Sequence, residues 1–415
     1  MHTSTLDILR CPYCGGRLEL VTSLFHRSEG DEINDGILGC HCCLFPLIDG
    51  VPVMHLLGGA QRAREHVEAG HPDLARRTMF NLEDDEHAKR FDEVALSDAT
   101  TYREIVEALG PNFEGGYFLY RFSDPSYVVA HALVRAVAGT VLRGGGRAVD
   151  ICGGSGHLTR AMMDLSSPAP VLADLYFAKI WLARRFTARG CEGVCCDGNA
   201  PLPFARGAFR YAMCADAFMY IWTKRQLVLE MLRLIDGGAT PGAVVISHTH
   251  NQRTWSQSHG QPLPPEGYRH LFETLEPRLF AEARLFGDVV KGGPLDLARR
   301  DPAEVLDGDP ALEIVATRHD GVFKPHPLEL QPGAPGELRL NPLYVAEPQG
   351  DHVRLRLQFP SQDYEEEFGA CREYLPADLV IDRTLLAALE GGRLPAALAE
   401  LARRRVILDL PKRYY

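Results

Sequence analysis

Between residues 147 and 322, short apolar runs alternate with stretches whose apolar positions recur at helical spacing. Residues 148–152, 171–175, 193–196, 211–214 and 243–247 are each too short for a typical helix. They are nearly unbroken in apolar character, the pattern of strands covered on both faces. After the first run, Leu158, Ala161, Met162 and Leu165 share one side of a helix; after the second, Ala178, Trp181, Leu182 and Phe186 do the same. Residues 227–235 form a further helix, stopped by Gly237-Gly238. This alternation predicts an α/β fold with a Rossmann-like, doubly wound sheet. Residues 268–275 read as a short helix, and 279–285 and 311–322 as closing antiparallel strands.

The flanks follow other patterns. Residues 17–25 and 37–39 read as short β segments, and 60–68 and 83–96 as polar helices. An amphipathic helix over 101–109 ends at Gly110-Pro111. Ser123 or Asp124 can cap a helix that has Pro125 at its first position and stops at Gly144-Gly145-Gly146. In the tail, 343–345 and 353–359 alternate like two strands joined at Gln349-Gly350-Asp351, and 385–389 and 394–401 are helical. The expected division is a module at 1–57, a helical linker and lid at 58–125, the α/β domain at 126–325 and an α+β extension at 326–415.

Composition narrows the function. With 46% hydrophobic and 24% charged residues the chain is an ordinary globular one, and its 415 residues suffice for two or three domains. A net charge of −11 disfavours nucleic acid, whose binders are more often basic. The apolar run 127–142 contains His131 and Arg135, so no membrane span is expected, and residues 1–30 lack the pattern of a secretory signal. Eleven cysteines, four of them in metal-type pairs, suit a reducing cytoplasm better than a disulfide framework. A homodimer is compatible with all of this.

The first apolar run leads into a glycine-rich turn, Val149-Asp150-Ile151-Cys152-Gly153-Gly154-Ser155-Gly156-His157. Glycines there let the backbone approach a ligand closely, and the helix behind presents free N–H groups. A dinucleotide fingerprint would need glycine where Thr159 stands. The string resembles the first motif of class I S-adenosylmethionine (SAM) methyltransferases. That resemblance implies that Asp150 and the Gly153, Gly154 and Gly156 loop hold the methionine end of SAM. Asp174, twenty positions after Gly154 with Leu175 beside it, is placed for both ribose hydroxyls. By the same resemblance, Asp197 would bond the adenine amino group and the Gly198 amide would meet the ring. Tyr120 and Arg121 are further cofactor candidates: an aromatic face attracts the sulfonium, and a guanidinium can grip the carboxylate.

Strand tips of a parallel sheet collect ligands, which brings in Asp216 and Tyr220 after 211–214 and His248 and His250 after 243–247. Either histidine could accept a proton from a hydroxyl or amine nucleophile, bond the substrate, or ligate a metal with His259 and His270 nearby. Residues 252–265 read as a substrate lid. Asp216, His248 and His250 are thus the catalytic candidates, and Asp216 also borders the cofactor.

Cys11-Pro12-Tyr13-Cys14 and Cys40-His41-Cys42-Cys43 supply two cysteine pairs, Cys11 with Cys14 and Cys40 with Cys43, suited to a closed tetrahedral structural zinc. Cys42 is a substitute for either neighbour, and His41 a weaker one. Together with Leu6-Asp7-Ile8-Leu9-Arg10-Cys11-Pro12 and Leu44-Phe45-Pro46-Leu47-Ile48-Asp49-Gly50-Val51-Pro52-Val53, they resemble the small zinc-ribbon methyltransferase activators. Residues 1–57 carry three basic and seven acidic side chains, a poor RNA clamp. The order of a zinc module and then a methyltransferase is also that of certain rRNA guanine methyltransferases. The reading is a SAM-dependent methyltransferase acting on O or N of a small molecule, with natural-product biosynthesis as the expected setting. Its rivals are an rRNA or tRNA base methyltransferase and a SAM-binding protein without catalysis that docks partners through the ribbon.

Overall fold

The computed structural model of the protein describes residues 1–21, 26–82, 85–95, 97–110, 115–238, 240–254 and 260–415. Residues 22–25 of the expected strand, 83, 84 and 96 of the expected helix, and 255–259 of the expected lid, His259 among them, lie outside the described residues.

The apolar runs form the central sheet. Its strands are β1 (Ala148–Ile151), β2 (Val171–Asp174), β3 (Glu192–Cys195), β4 (Tyr211–Ala215), β5 (Ala243–His250), β6 (Arg278–Ala281) and β7 (Ala311–Thr317). They lie in the order β3-β2-β1-β4-β5-β7-β6. β1 to β5 run parallel, and β7 is antiparallel to both β5 and β6. The chain fills one half of the sheet outward from β1, then returns to place β4 on the other side of β1. That reversal opens a crevice at the strand tips, where doubly wound sheets take ligands.

Both faces are covered, as unbroken apolar strands require. Ala148, Leu172, Tyr211, Met213 and Val245 pack into one core, and Val149, Ile151, Ala173, Ala212, Cys214 and Val244 into the other. One expected closing strand is shorter than anticipated. Arg278–Ala281 is extended and runs in the sense of the parallel set, and the chain then turns into a helix, Glu282–Lys291, whose apolar Leu285, Phe286 and Val289 fall at helical spacing.

The N-terminal residues form a small sheet of strands Glu19–Val21, Arg27–Glu29, Glu32–Gly39, Leu44–Ile48 and Val51–Pro52. It continues into the central one. Val53 pairs in parallel with Cys195 at the end of β3, and the Met54 N–H donates to the Cys195 carbonyl at 2.6 Å. A second seam joins Leu9 to Phe204, with Arg10 N–H donating to Pro203 and Ala205 N–H to Ile8. The edge of β3 is thereby partly closed, which removes a template for aberrant pairing.

Four helices follow, Ala60–Glu68, Pro72–Met79, Asp85–Ala95 and Tyr102–Leu109; the second was not foreseen. Thr101 and Glu104 form a reciprocal capping box at the start of the last. The helix that begins at Pro125 continues through a wide turn, Val134–Ala138, to Val141. In the tail, strands Tyr344–Gln349 and His352–Leu357 pair as expected, with Asp378–Asp382 added, and Gly336–Leu340 pairs with Ile407–Pro411. Among the described residues, no helix is long and apolar enough to cross a membrane.

Candidate functional site

The parallel strands are almost wholly buried, yet their tips open to solvent together. Cys152, Gly153 and Gly154 after β1, Leu175 and Tyr176 after β2, Asp197 after β3, and Ala215, Asp216 and Ala217 at the end of β4 are all at least partly exposed. Three non-glycine residues here take left-handed φ: Cys152 (57°), Asp216 (53°) and His248 (49°). Such conformations cost energy and gather where side chains must be aimed at a ligand.

The glycine turn needs its glycines. A Cβ on Gly153 would stand 2.4 Å from Leu172 and 2.6 Å from the Asp150 carboxyl carbon, and Gly154 sits at φ 56°. Asp150 lies beneath the turn, not on its rim. It is fully buried, and Oδ2 accepts from the Thr159 hydroxyl at 2.6 Å while Oδ1 has no partner. Burial pushes its carboxyl up to about 7. Gly156, at φ 76°, lets the following helix close on Ala183. Asp174 ties the turn to β2: Oδ2 accepts from Gly154 N–H and Oδ1 from Tyr176 N–H, both at 2.9 Å. Asp197 Oδ1 accepts from the Asn199 backbone at 2.8 Å, which orders the loop that holds Gly198. Gly198 packs against Cys152 and Ile221, so β1, the β3 loop and the β4 loop converge there. Leu175 borders the same opening.

The segment before the Pro125 helix covers this opening. Phe118 reaches over Gly154, where an added Cβ would be 3.3 Å from its ring. Arg121 is buried, and its Nη1 lies 2.9 Å from the Ser126 hydroxyl, 3.0 Å from Asp216 Oδ2 and 3.3 Å from Asp124 Oδ2. Tyr117 donates its hydroxyl to Asp216 Oδ2 at 3.1 Å. Asp124 is not the side-chain cap its position suggested. It also accepts from the Tyr364 hydroxyl, and burial pushes its carboxyl up to about 7. Tyr120 packs edge-on against Tyr364, and Phe368 stacks on Tyr117. The tail thus braces the lid.

β5 carries a bulge. Its register with β7 shifts between Ile246 and Thr249, which turns His248 toward Asp216. His248 N–H donates to Glu313 Oε1 at 3.1 Å, and its Nδ1 is 2.7 Å from Glu282 Oε2. Burial lowers the imidazole, but Glu282 and Asp216 outweigh it and push His248 up to about 9. His250 stands beside it, ring centres 5.3 Å apart, and is pushed down to about 4 by burial and the charge of His248. At neutral pH the pair therefore splits into a cation and a neutral imidazole. Tyr117, Asp124, Glu282, Glu313 and Tyr364 were missed as site residues. Only Glu313 left a signal, as a lone acid within the apolar run Leu312-Glu313-Ile314.

At the N-terminus, Cys11, Cys14, Cys40 and Cys42 bring four sulfurs within 4.8 Å of one another. Cys11–Cys42 and Cys14–Cys40 are each 3.7 Å apart, and Cys40–Cys42 is 3.5 Å. Four thiolates around one zinc would stand about 3.8 Å apart, so the donor set fits. Cys42 takes the place expected of Cys43, whose sulfur lies 3.3 Å from that of Cys42. Two adjacent cysteines on one turn left that choice open to sequence spacing.

No family model and no curated relative matches the chain. Among solved structures, a SAM-dependent methyltransferase from Mesorhizobium loti is 16% identical, covering 47% of this chain and 98% of its own, with a TM-score of 0.34. One from Thermotoga maritima is 13% identical over 52% of this chain and 97% of its own, at 0.32. A chain of the Haloferax volcanii complex that contains the Trm112 methyltransferase activator is 18% identical over 45% of this chain and 90% of its own, at 0.33.

Proposed function

We propose that the protein is a SAM-dependent methyltransferase that methylates O or N of a small molecule. The observation that carries this reading is the joint opening of four parallel strand tips beside a paired acid and base. Gly153, Gly154, Leu175 and Asp197 are partly exposed at one end of the strand tips, with Asp174 and Gly198 buried among them; Asp216, His248 and His250 are partly exposed at the other. SAM, when bound, supplies a methyl group on a sulfonium. Asp174 and Asp197 would hold the ribose and the adenine edge, and the N–H groups of the glycine turn and Arg121 would hold the methionine end. Asp216, bonded by Arg121 and Tyr117, would neighbour that end. With SAM held there, the acceptor's lone pair would form the new bond to the methyl carbon and the electrons of the carbon–sulfur bond would return to sulfur. His250, neutral at pH 7, would take the acceptor's proton, while the protonated His248 would orient the acceptor through Nε2. The lid under Phe118 excludes water and holds the acceptor in line.

The zinc would be structural, held by Cys11, Cys14, Cys40 and Cys42 with no open position. It stabilises a module too small for a large core of its own. Acidic net charge and a sparsely basic N-terminal module favour a small acceptor over RNA. Incubation with methyl-labelled SAM and either pooled metabolites or pooled RNA tests this. Label in metabolites supports the reading, label in RNA alone overturns the acceptor class, and no transfer to either overturns catalysis.

A further inference from the structure

A second cavity, of about 400 Å³, lies between the α/β core and the C-terminal extension, away from the strand tips. That is within the roughly 300–1,000 Å³ of small-molecule sites. Its walls are mainly apolar, with Val128 and Val290 from the core and Leu328, Leu338 and Ile407 from the tail.

Seven polar residues interrupt that wall, among them Tyr127, His131 and Arg405, which keep polar atoms without a partner among the described residues. Tyr127 and His131 are each 2% exposed. Among the described residues no hydrogen bond reaches the Tyr127 hydroxyl. His131 Nε2 meets the Gln331 carbonyl at 2.7 Å and must donate to it, so Nδ1 is a bare acceptor, and it has no partner. Burial and the nearby Arg405 push His131 down to about 3, so the ring is neutral. The third group is Arg405, held at a left-handed φ of 58° with one Nη on the Phe122 carbonyl and its buried Nε unpartnered.

The charges do not cancel. Asp409 lines the cavity but is taken by Arg160 at 2.8 Å, and Arg403 is paired with Glu400. Arg405 has no carboxylate within ion-pair distance among the described residues. Among the described residues, Arg405 lacks an acid, the Tyr127 hydroxyl lacks a partner and the buried His131 Nδ1 is an orphaned acceptor, and all three residues line this mainly apolar space. Groups buried in this way cost free energy until a partner arrives.

We propose that this cavity is a binding site for an apolar hydroxy acid. Its carboxylate meets Arg405 and the Tyr127 hydroxyl, its own hydroxyl donates to His131 Nδ1, and its hydrocarbon body fills the space between Val290 and Leu338. The site is separate from the methyl-transfer opening and shares only the Phe122 wall with the lid.

The test is calorimetry on the full chain with 3-hydroxydecanoate, decanoate and decanol, with and without saturating S-adenosylhomocysteine. The expected result is one-to-one binding in the order hydroxy acid, acid, alcohol, undiminished by S-adenosylhomocysteine. Arg405→Met weakens the two acids at least tenfold and leaves the alcohol unchanged. Val290→Trp fills the cavity and abolishes all three while the heat of S-adenosylhomocysteine binding persists. No binding of the acids, equal binding of acid and alcohol, persistence in Val290→Trp, or displacement by S-adenosylhomocysteine would each overturn the proposal.

Discussion

The imidazole of His248 lies 2.7 Å through Nδ1 from the carboxylate of Glu282 and 3.9 Å through Nε2 from that of Asp216. Burial opposes a charge on the ring, but the two acids raise it to about 9 from an ordinary 6.5. A group raised on folding stabilises fully below its unfolded value and loses that effect as pH climbs through its folded one. The stabilisation is therefore complete below pH 6.5 and fades toward pH 9. His248→Asn is expected to lower stability by on the order of 3 kcal/mol at neutral pH, and by far less at about pH 10. Urea unfolding of both proteins at the two pH values checks this; an equal penalty at both would remove the ion pair from the account.

His250 is the other half of the split. Pushed down to about 4, it is neutral over the whole working range. His250 itself is therefore expected to add no step to the pH profile of methyl transfer between about pH 5 and pH 8. His250→Ala is expected to lower kcat by about 10²–10⁴-fold, the usual range for a lost general base, with SAM affinity unchanged. Labelled-methyl kinetics with any acceptor that turns over decide it. A loss confined to KM would make His250 a substrate contact.

Asp174 is tied to Gly154 N–H and Tyr176 N–H, so its carboxylate is preorganised at the tip of β2. Asp174→Asn keeps one oxygen as an acceptor but removes the charge and half of the accepting capacity. Hydrogen bonds to charged groups are worth about 1.5–3 kcal/mol, so S-adenosylhomocysteine affinity is expected to fall roughly tenfold to a hundredfold. Titration calorimetry measures it. Undiminished affinity would place the nucleoside elsewhere.

The sheet was legible because its strands are covered on both faces and read as continuous apolar runs, and because Asp150, Asp174 and Asp197 stand at fixed offsets from it. The paired histidines were legible as strand-tip residues. Their division of labour was not, since it depends on Glu282, which arrives from a helix that the apolar run 279–285 disguised as strand. Tyr364 was hidden for a similar reason: the run Asp363-Tyr364-Glu365-Glu366-Glu367 reads as a solvated face, and only the fold brings its hydroxyl to Asp124. Asp150 was expected to hold the methionine end of SAM; its carboxylate instead stays under the turn, where it accepts from Thr159 and the packing of Leu172 closes over Gly153, and no sequence offset reports that depth.

The N-terminal module bears on the strand tips through two seams, Met54 on Cys195 and Ile8 to Arg10 on the stretch 203–205. Both flank the loop that carries Asp197 and Gly198. If Cys11, Cys14, Cys40 and Cys42 hold zinc, stripping it by a chelator releases the module's fold and leaves the β3 edge unpaired. Amide exchange is then expected to accelerate at 195–205 as well as at 1–57, while β4 and β5 stay protected. Cys42→Ser is expected to purify with little zinc and to show the same exchange pattern untreated. Cys43→Ser keeps the metal, because its sulfur lies outside the four-sulfur group. Metal analysis of the two variants separates the ligand from its neighbour. Exchange at 195–205 that ignores zinc would show that the sheet holds its own edge without the module.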